Sequence, residues 1–154
     1  MAPDRRGTLT LAAAMLAAGL LLGNAAQAQT DAALPPVQKS GAVEYLSGGI
    51  GLDESTAIKS ASGHWPLSLV FSVQAAGKAE FASDVKLTIR DAKGAPVLET
   101  TASGPFLLAK LAPGSYRLRA TLAGKTLERK VQVKADSSAR VELVWPVGTN
   151  QGRP

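Results

Sequence analysis

Between Pro66 and Trp145 apolar residues return at every second position, in short runs broken by glycine, proline and aspartate. No other feature of the chain limits its fold as tightly. A period of two sends successive side chains to opposite faces of an extended strand, whereas a helix needs its apolar residues three and four apart. Leu67, Leu69, Phe71 and Val73 share one face. Val85, Leu87 and Ile89 alternate with Lys86, Thr88 and Arg90, Asp91-Ala92-Lys93-Gly94 makes a turn, and Val97 to Thr101 returns. Gly104 to Leu111 (GPFLLAKL) reads as a short apolar strand closed by Ala112-Pro113-Gly114. Tyr116, Leu118, Ala120 and Leu122 then face inward, while Arg117, Arg119 and Thr121 face outward. After Ala123-Gly124-Lys125, Leu127, Arg129, Val131 and Val133 share one face, and Val141, Leu143 and Trp145 alternate through the last strand. Strands of this length, divided by turn signals, predict an all-β, antiparallel β-sandwich. Pro113 presets the turn that leads into Tyr116, whose ring enters the core with its hydroxyl at the rim, where a backbone group or water can satisfy it.

The segment before Pro66 has a different character. Val43 to Ser47 predicts a first short strand, and Gly48, Gly49 and Gly51 surround Ile50. From Asp53 the run DESTAIKSAS, with Leu52, Ala57, Ile58 and Ala61 at helical spacing and Gly63 as a stop, predicts one short helix. Residues 29–42 carry Pro35-Pro36 and small polar residues and read as a flexible linker. Residues 148–154 read as a disordered tail. The sandwich domain therefore spans 43–147, its first part, 43–65, holding the Gly-rich loop and the helix.

Residues 1–28 predict a secretory signal peptide. Arg5 and Arg6 precede the apolar run from Leu9 to Leu22, and Ala26-Gln27-Ala28 supplies the small residues a signal peptidase reads. The run is shorter than the ~20 residues a spanning helix needs, so no transmembrane segment is expected after cleavage. Asp4 before the arginine pair and Gly7-Thr8 after it make a poor twin-arginine match, so the general secretory route is expected. The chain contains no cysteine, which excludes a lipidated cysteine, disulfides, thiolate metal sites and a cysteine nucleophile. Roughly 125 residues remain after cleavage, enough for a self-sufficient core. A periplasmic or secreted monomer is expected.

"GPFLLAKLAPGSYRLRATLAGKTLERKVQV", residues 104–133, resembles the Leu-x-Pro-Gly-x-Tyr-x-Leu-x-Ala signature of carboxypeptidase regulatory-like domains. These belong to the wider transthyretin-like and Cna-B-type prealbumin sandwiches. Gly104 to Trp145 is similar to the latter half of that pattern, and Asp84 to Thr101 to its preceding hairpin. The whole also resembles small exported Gram-negative proteins in which a "YLSGGIGLDES"-like front precedes one such domain. The resemblance implies a Greek-key sandwich of transthyretin-like type and a non-catalytic accessory role, contacting protein or carbohydrate.

The formal net charge of +5 falls by one when Asp4, Arg5 and Arg6 leave with the leader. The remaining basic residues are scattered among acids, and aromatic residues make up 5%, so nucleic-acid binding is not expected. A solvated surface is the preferred reading, with attraction to anionic lipid or polysaccharide as the alternative. Catalysis is not expected either. His64 is the only histidine and has no partners in the sequence pattern for a triad or a metal site. One hydrolase branch of the transthyretin-like fold uses several histidines, an arginine and a Tyr-Arg-Gly-Ser tail, and this chain lacks them. Gly48 to Glu54 has no phosphate-loop lysine, and its two acids would repel phosphate. Those acids fit better as helix caps than as a calcium site. No cofactor and no metal are expected. The candidate interaction surface comprises Tyr45, Asp53, Glu54, His64 and Trp65, the segment that departs from plain alternation and gathers the glycines. The partner is expected to be an envelope protein or a glycan. The alternative for the segment is a structural cap over the core.

Overall fold

The structure, a computed structural model, describes residues 33–149. The leader, its cleavage position and residues 150–154 of the expected tail lie outside the described residues. Among the described residues, ten strands and one α-helix follow in order: β1 (Gln38–Ser40), β2 (Val43–Gly48), α1 (Leu52–Ala61), β3 (Leu67–Ala75), β4 (Lys78–Phe81), β5 (Val85–Arg90), β6 (Pro96–Ala102), β7 (Phe106–Ala109), β8 (Gly114–Leu122), β9 (Lys125–Val133) and β10 (Ala139–Trp145). They form two sheets packed face to face, an all-β sandwich with one short helix. The first sheet runs β1-β2-β7-β3-β10, with β4 paired to the far end of β3; the second runs β6-β5-β8-β9.

Alternation places the core. Leu67, Leu69, Phe71 and Val73 of the first sheet meet Val85, Leu87, Ile89, Leu118 and Ala120 of the second in one buried cluster, closed by Leu143 and Trp145. Trp145 is fully buried, its ring centroid 6.3 Å from that of Phe71. Its indole N–H donates to the Lys125 carbonyl at 2.9 Å, which ties the end of β10 to the start of β9. Burying each aliphatic or Phe side chain in such a cluster contributes about 1.5–3 kcal/mol.

The sheets are not purely antiparallel. β10 runs parallel to β3, with Ala139 opposite Leu67 and Trp145 opposite Val73. Period two is the same in both orientations, so alternation cannot tell them apart. A parallel pair needs a long crossover, and the passage through the second sheet between β3 and β10 supplies one.

Three boundaries also differ from expectation. Gln38 to Ser40, inside the expected linker, pair with β2 across a turn in which Gly41 takes φ +58°. Three residues are too few to show a period. In the expected tail, Thr149 is buried, and its hydroxyl and N–H both donate to the Pro146 carbonyl. The helix starts at Leu52 and is followed by a 3₁₀ turn, Ser62–His64. Leu52, expected on its apolar face, is 80% exposed; Ile58 carries the docking instead.

That docking explains the near-continuous apolar runs in β2, β3 and β7. Ile58 and Ala61 of α1 pack with Leu46, Trp65, Val70, Phe106 and Leu108 on the outer face of the first sheet. These strands therefore bury both faces, one against the second sheet and one beneath the helix. No element covers the outer face of the second sheet among the described residues. Its edge strand β9 carries Lys125, Lys130 and the core-side but exposed Arg129, charges that disfavour pairing with another strand.

Candidate functional site

The five candidates from the sequence are not brought together. Tyr45 is 7% exposed and points into the main core, where its hydroxyl donates to Gln38 Oε1 at 3.0 Å and lies 2.9 Å from Thr100 Oγ1, linking β1, β2 and β6. Trp65 packs in the helix-covered cluster on the opposite face of the first sheet. The Lys110 ammonium stands 5.2 Å from its ring and donates to Glu44 Oε2 at 2.9 Å. That hydrogen bond, with the Lys110 charge, holds the Glu44 carboxyl below the usual carboxylate range. Asp53 and His64 are exposed, at the first turn of α1 and the end of the 3₁₀ turn.

Glu54 acts within the loop. Its Oε1 accepts the Gly49 N–H at 2.6 Å, the role an N3 glutamate plays in satisfying donors ahead of a helix. Asp53 makes no side-chain cap; the N-cap residue is Gly51. The glycines serve close packing: a Cβ at Gly49 would overlap the Phe106 ring, and one at Gly104 would overlap the Gly48 backbone. Ser47 and Ser103 lock this contact. The Ser47 hydroxyl donates to the Phe106 carbonyl and accepts the Ser103 N–H, and the Ser103 hydroxyl donates to the Ser47 carbonyl.

A different place gathers charge. An open depression of about 760 Å³ lies where the β5–β6 turn meets β8 and β9. Asp91 builds the turn: its Oδ1 accepts the N–H groups of Lys93 (2.9 Å) and Ala95 (3.0 Å), and Gly94 takes φ +83°. Below it, Arg90 faces Arg117 on β8, and Arg117 faces Lys130 on β9. Three cations thus stand in one row across three strands. Arg90 donates to the Gly94 carbonyl at 3.0 Å. None of the three is in an ion pair among the described residues, whereas one row along Arg119 stands 4.0 Å from Glu128. Lys93 adds a fourth cation to the lining, against the single carboxylate of Asp91. These residues are scattered in the sequence, and only strand register assembles them.

Tyr116 also lines the depression, from the core-facing side of β8. It is half-buried, and its hydroxyl donates to the Ala112 carbonyl at 2.6 Å, the rim position expected for it. Burial pushes the phenol above its ordinary pKa, and the charge of Asp91 adds to the effect. Tyr116→Phe should cost about 1 kcal/mol in urea unfolding, the net worth of one hydrogen bond. A loss above about 3 kcal/mol would mean that the ring itself had been displaced.

Among the described residues no three His, Cys, Asp or Glu side chains cluster as a metal ion would require, and no helix is long and apolar enough to cross a membrane. No protein-family model matches this chain, and no curated protein matches it.

Proposed function

We propose that this chain is an exported, non-catalytic interaction module of the bacterial envelope, which meets a protein or glycan partner through the outer face of its second sheet. One observation carries the reading. The two sheets differ in cover: α1 buries the outer face of β2, β7 and β3 in the first, while the second leaves Lys86, Arg90, Arg117, Arg119 and Lys130 exposed on a face that no element covers among the described residues. The leader pattern supports export, and a chain without cysteine would be held together there by its core alone. A sandwich of the transthyretin-like, carboxypeptidase regulatory-like type is supported by the way the signature positions are used. Leu111, Leu118 and Ala120 are buried, and Tyr116 closes back on Ala112. Fold similarity is only an analogy for function, so the exposed face has to be tested directly.

Expression with photo-crosslinking residues at Lys86 and Arg119, on the second sheet, and at Ser60, on α1, tests the proposal. The isolated protein should have the mass of a chain beginning at Gln29. Crosslinks to an envelope component should form from Lys86 and Arg119 and not from Ser60. Retention of residues 1–28, or equal yields from all three positions, would overturn it.

A further inference from the structure

We infer that the row Arg90, Arg117 and Lys130, with Lys93 on the turn above it, is a binding site for an acidic glycan, an oligosaccharide that carries carboxylate or phosphate groups. This rests on the reading of the second sheet as the contact face and names the chemistry that face would take. Like charges directly opposite one another on neighbouring strands destabilise a sheet, and here two successive pairs do so in one row. The adjacent row answers Arg119 with Glu128, yet the cation row has no acid partner among the described residues. The one carboxylate in the depression, Asp91, has Oδ1 engaged by two backbone N–H groups of its own turn. An anionic ligand supplies the charge that is missing.

The geometry narrows the class. Neighbouring strands lie about 4.8 Å apart, so the three cations repeat along a line of roughly 10 Å. That suits a chain bearing successive anionic groups better than a single ion, and the guanidinium forks of Arg90 and Arg117 suit planar carboxylates or phosphates. Ser115 and Gln132, hydrogen-bonded to each other beside the row, offer polar groups for sugar hydroxyls. Nucleic acid fits less well, because single strands are held by stacking on aromatic faces. The aromatic residue of the depression is Tyr116, half-buried with its hydroxyl turned back to Ala112. A bilayer also fits less well: among the described residues, none of the exposed large apolar side chains, Ile50, Leu52, Phe81 and Val147 among them, lines this recess.

The test titrates the exported chain with a galacturonate hexamer, inorganic phosphate, single-stranded DNA of equal charge, and anionic phospholipid vesicles. The hexamer should bind, more weakly as salt rises. Arg117→Gln and Lys130→Gln should each reduce its affinity about tenfold or more. Arg117→Gln should also leave the thermal midpoint unchanged or raise it, since it removes a like-charge contact. Arg140→Gln, on the first sheet, should change nothing in binding. Equal losses for Arg140→Gln would reduce the effect to overall charge and overturn the site. Equal or tighter binding of phosphate, DNA or vesicles would overturn the glycan assignment. An absence of hexamer binding, with the Lys86 and Arg119 crosslinks retained, would overturn this inference and leave the interaction-module reading standing.

Discussion

Replacing Trp145 with alanine is expected to remove about 3–5 kcal/mol of stability, the range for truncating a large aromatic in a packed core. The indole is fully buried, packs against Phe71, and bonds the Lys125 carbonyl across the gap between the two sheets. β10 is an edge strand paired only with β3, so the ring is the main connection between the end of β10 and the second sheet. Small domains hold about 5–15 kcal/mol in all, and the loss should leave the variant close to unfolding. Trp145→Phe separates the contributions: it keeps most of the apolar area but leaves the carbonyl without its donor, and should cost about 1–3 kcal/mol. Denaturant unfolding measures both. A loss under 1 kcal/mol for the alanine variant would show that the ring is not packed as described.

Gly104→Ala should be the most damaging of the small substitutions. The added Cβ would sit on the carbonyl carbon and oxygen of Gly48, backbone atoms at the end of β2 that cannot swing aside as a side chain would. Relief requires β2 and the turn before β7 to part, which breaks the hydrogen bonds between Ser47 and Ser103. Overpacking costs about 1–3 kcal/mol and each of the two lost bonds about 1 kcal/mol, so a loss of about 3–5 kcal/mol is expected. Gly63→Ala is the control. Nothing lies within 4 Å of its added Cβ, and its stability should stay within about 0.5 kcal/mol of the parent. Equal losses in urea for the two variants would contradict the close approach at Gly104.

Local pattern carried much of this architecture. Tyr116, Leu118, Ala120 and Leu122 alternate in the sequence and take their expected side in the structure, because a strand's faces follow from its period alone. The orientation of β10 depends on a partner some seventy residues away and leaves no local trace, and β1, although it pairs with the next strand, is too short to show a period. The cation row was half legible. Ala123 and Gly124 form a two-residue turn at φ +47° and +79°, with Leu122 facing Lys125. Counting outward in equal steps from that turn brings Arg117 opposite Lys130. Arg90 joins them only because β5 and β8 become neighbours, although β6 and β7 separate them in the chain. The candidate cluster around Trp65 rests on sequence proximity, whereas adjacent residues on a strand belong to opposite faces. Tyr45 and Leu46 illustrate this, one in the main core and the other beneath the helix.

The parallel pairing of β10 with β3 also bears on when folding can occur. β3 is an interior strand of its sheet, yet both its long-range neighbours, β7 and β10, follow it in the chain, and β10 follows by some seventy residues (Leu67 pairs with Ala139). Contacts of such high sequence separation fold slowly, because the loop between them must close before they yield any stabilisation. A nascent chain that has not yet released β10 lacks Leu143 and Trp145 and cannot seal its core. Under the proposed export, the polypeptide would stay threadable through a secretion channel at least until β10 had been made.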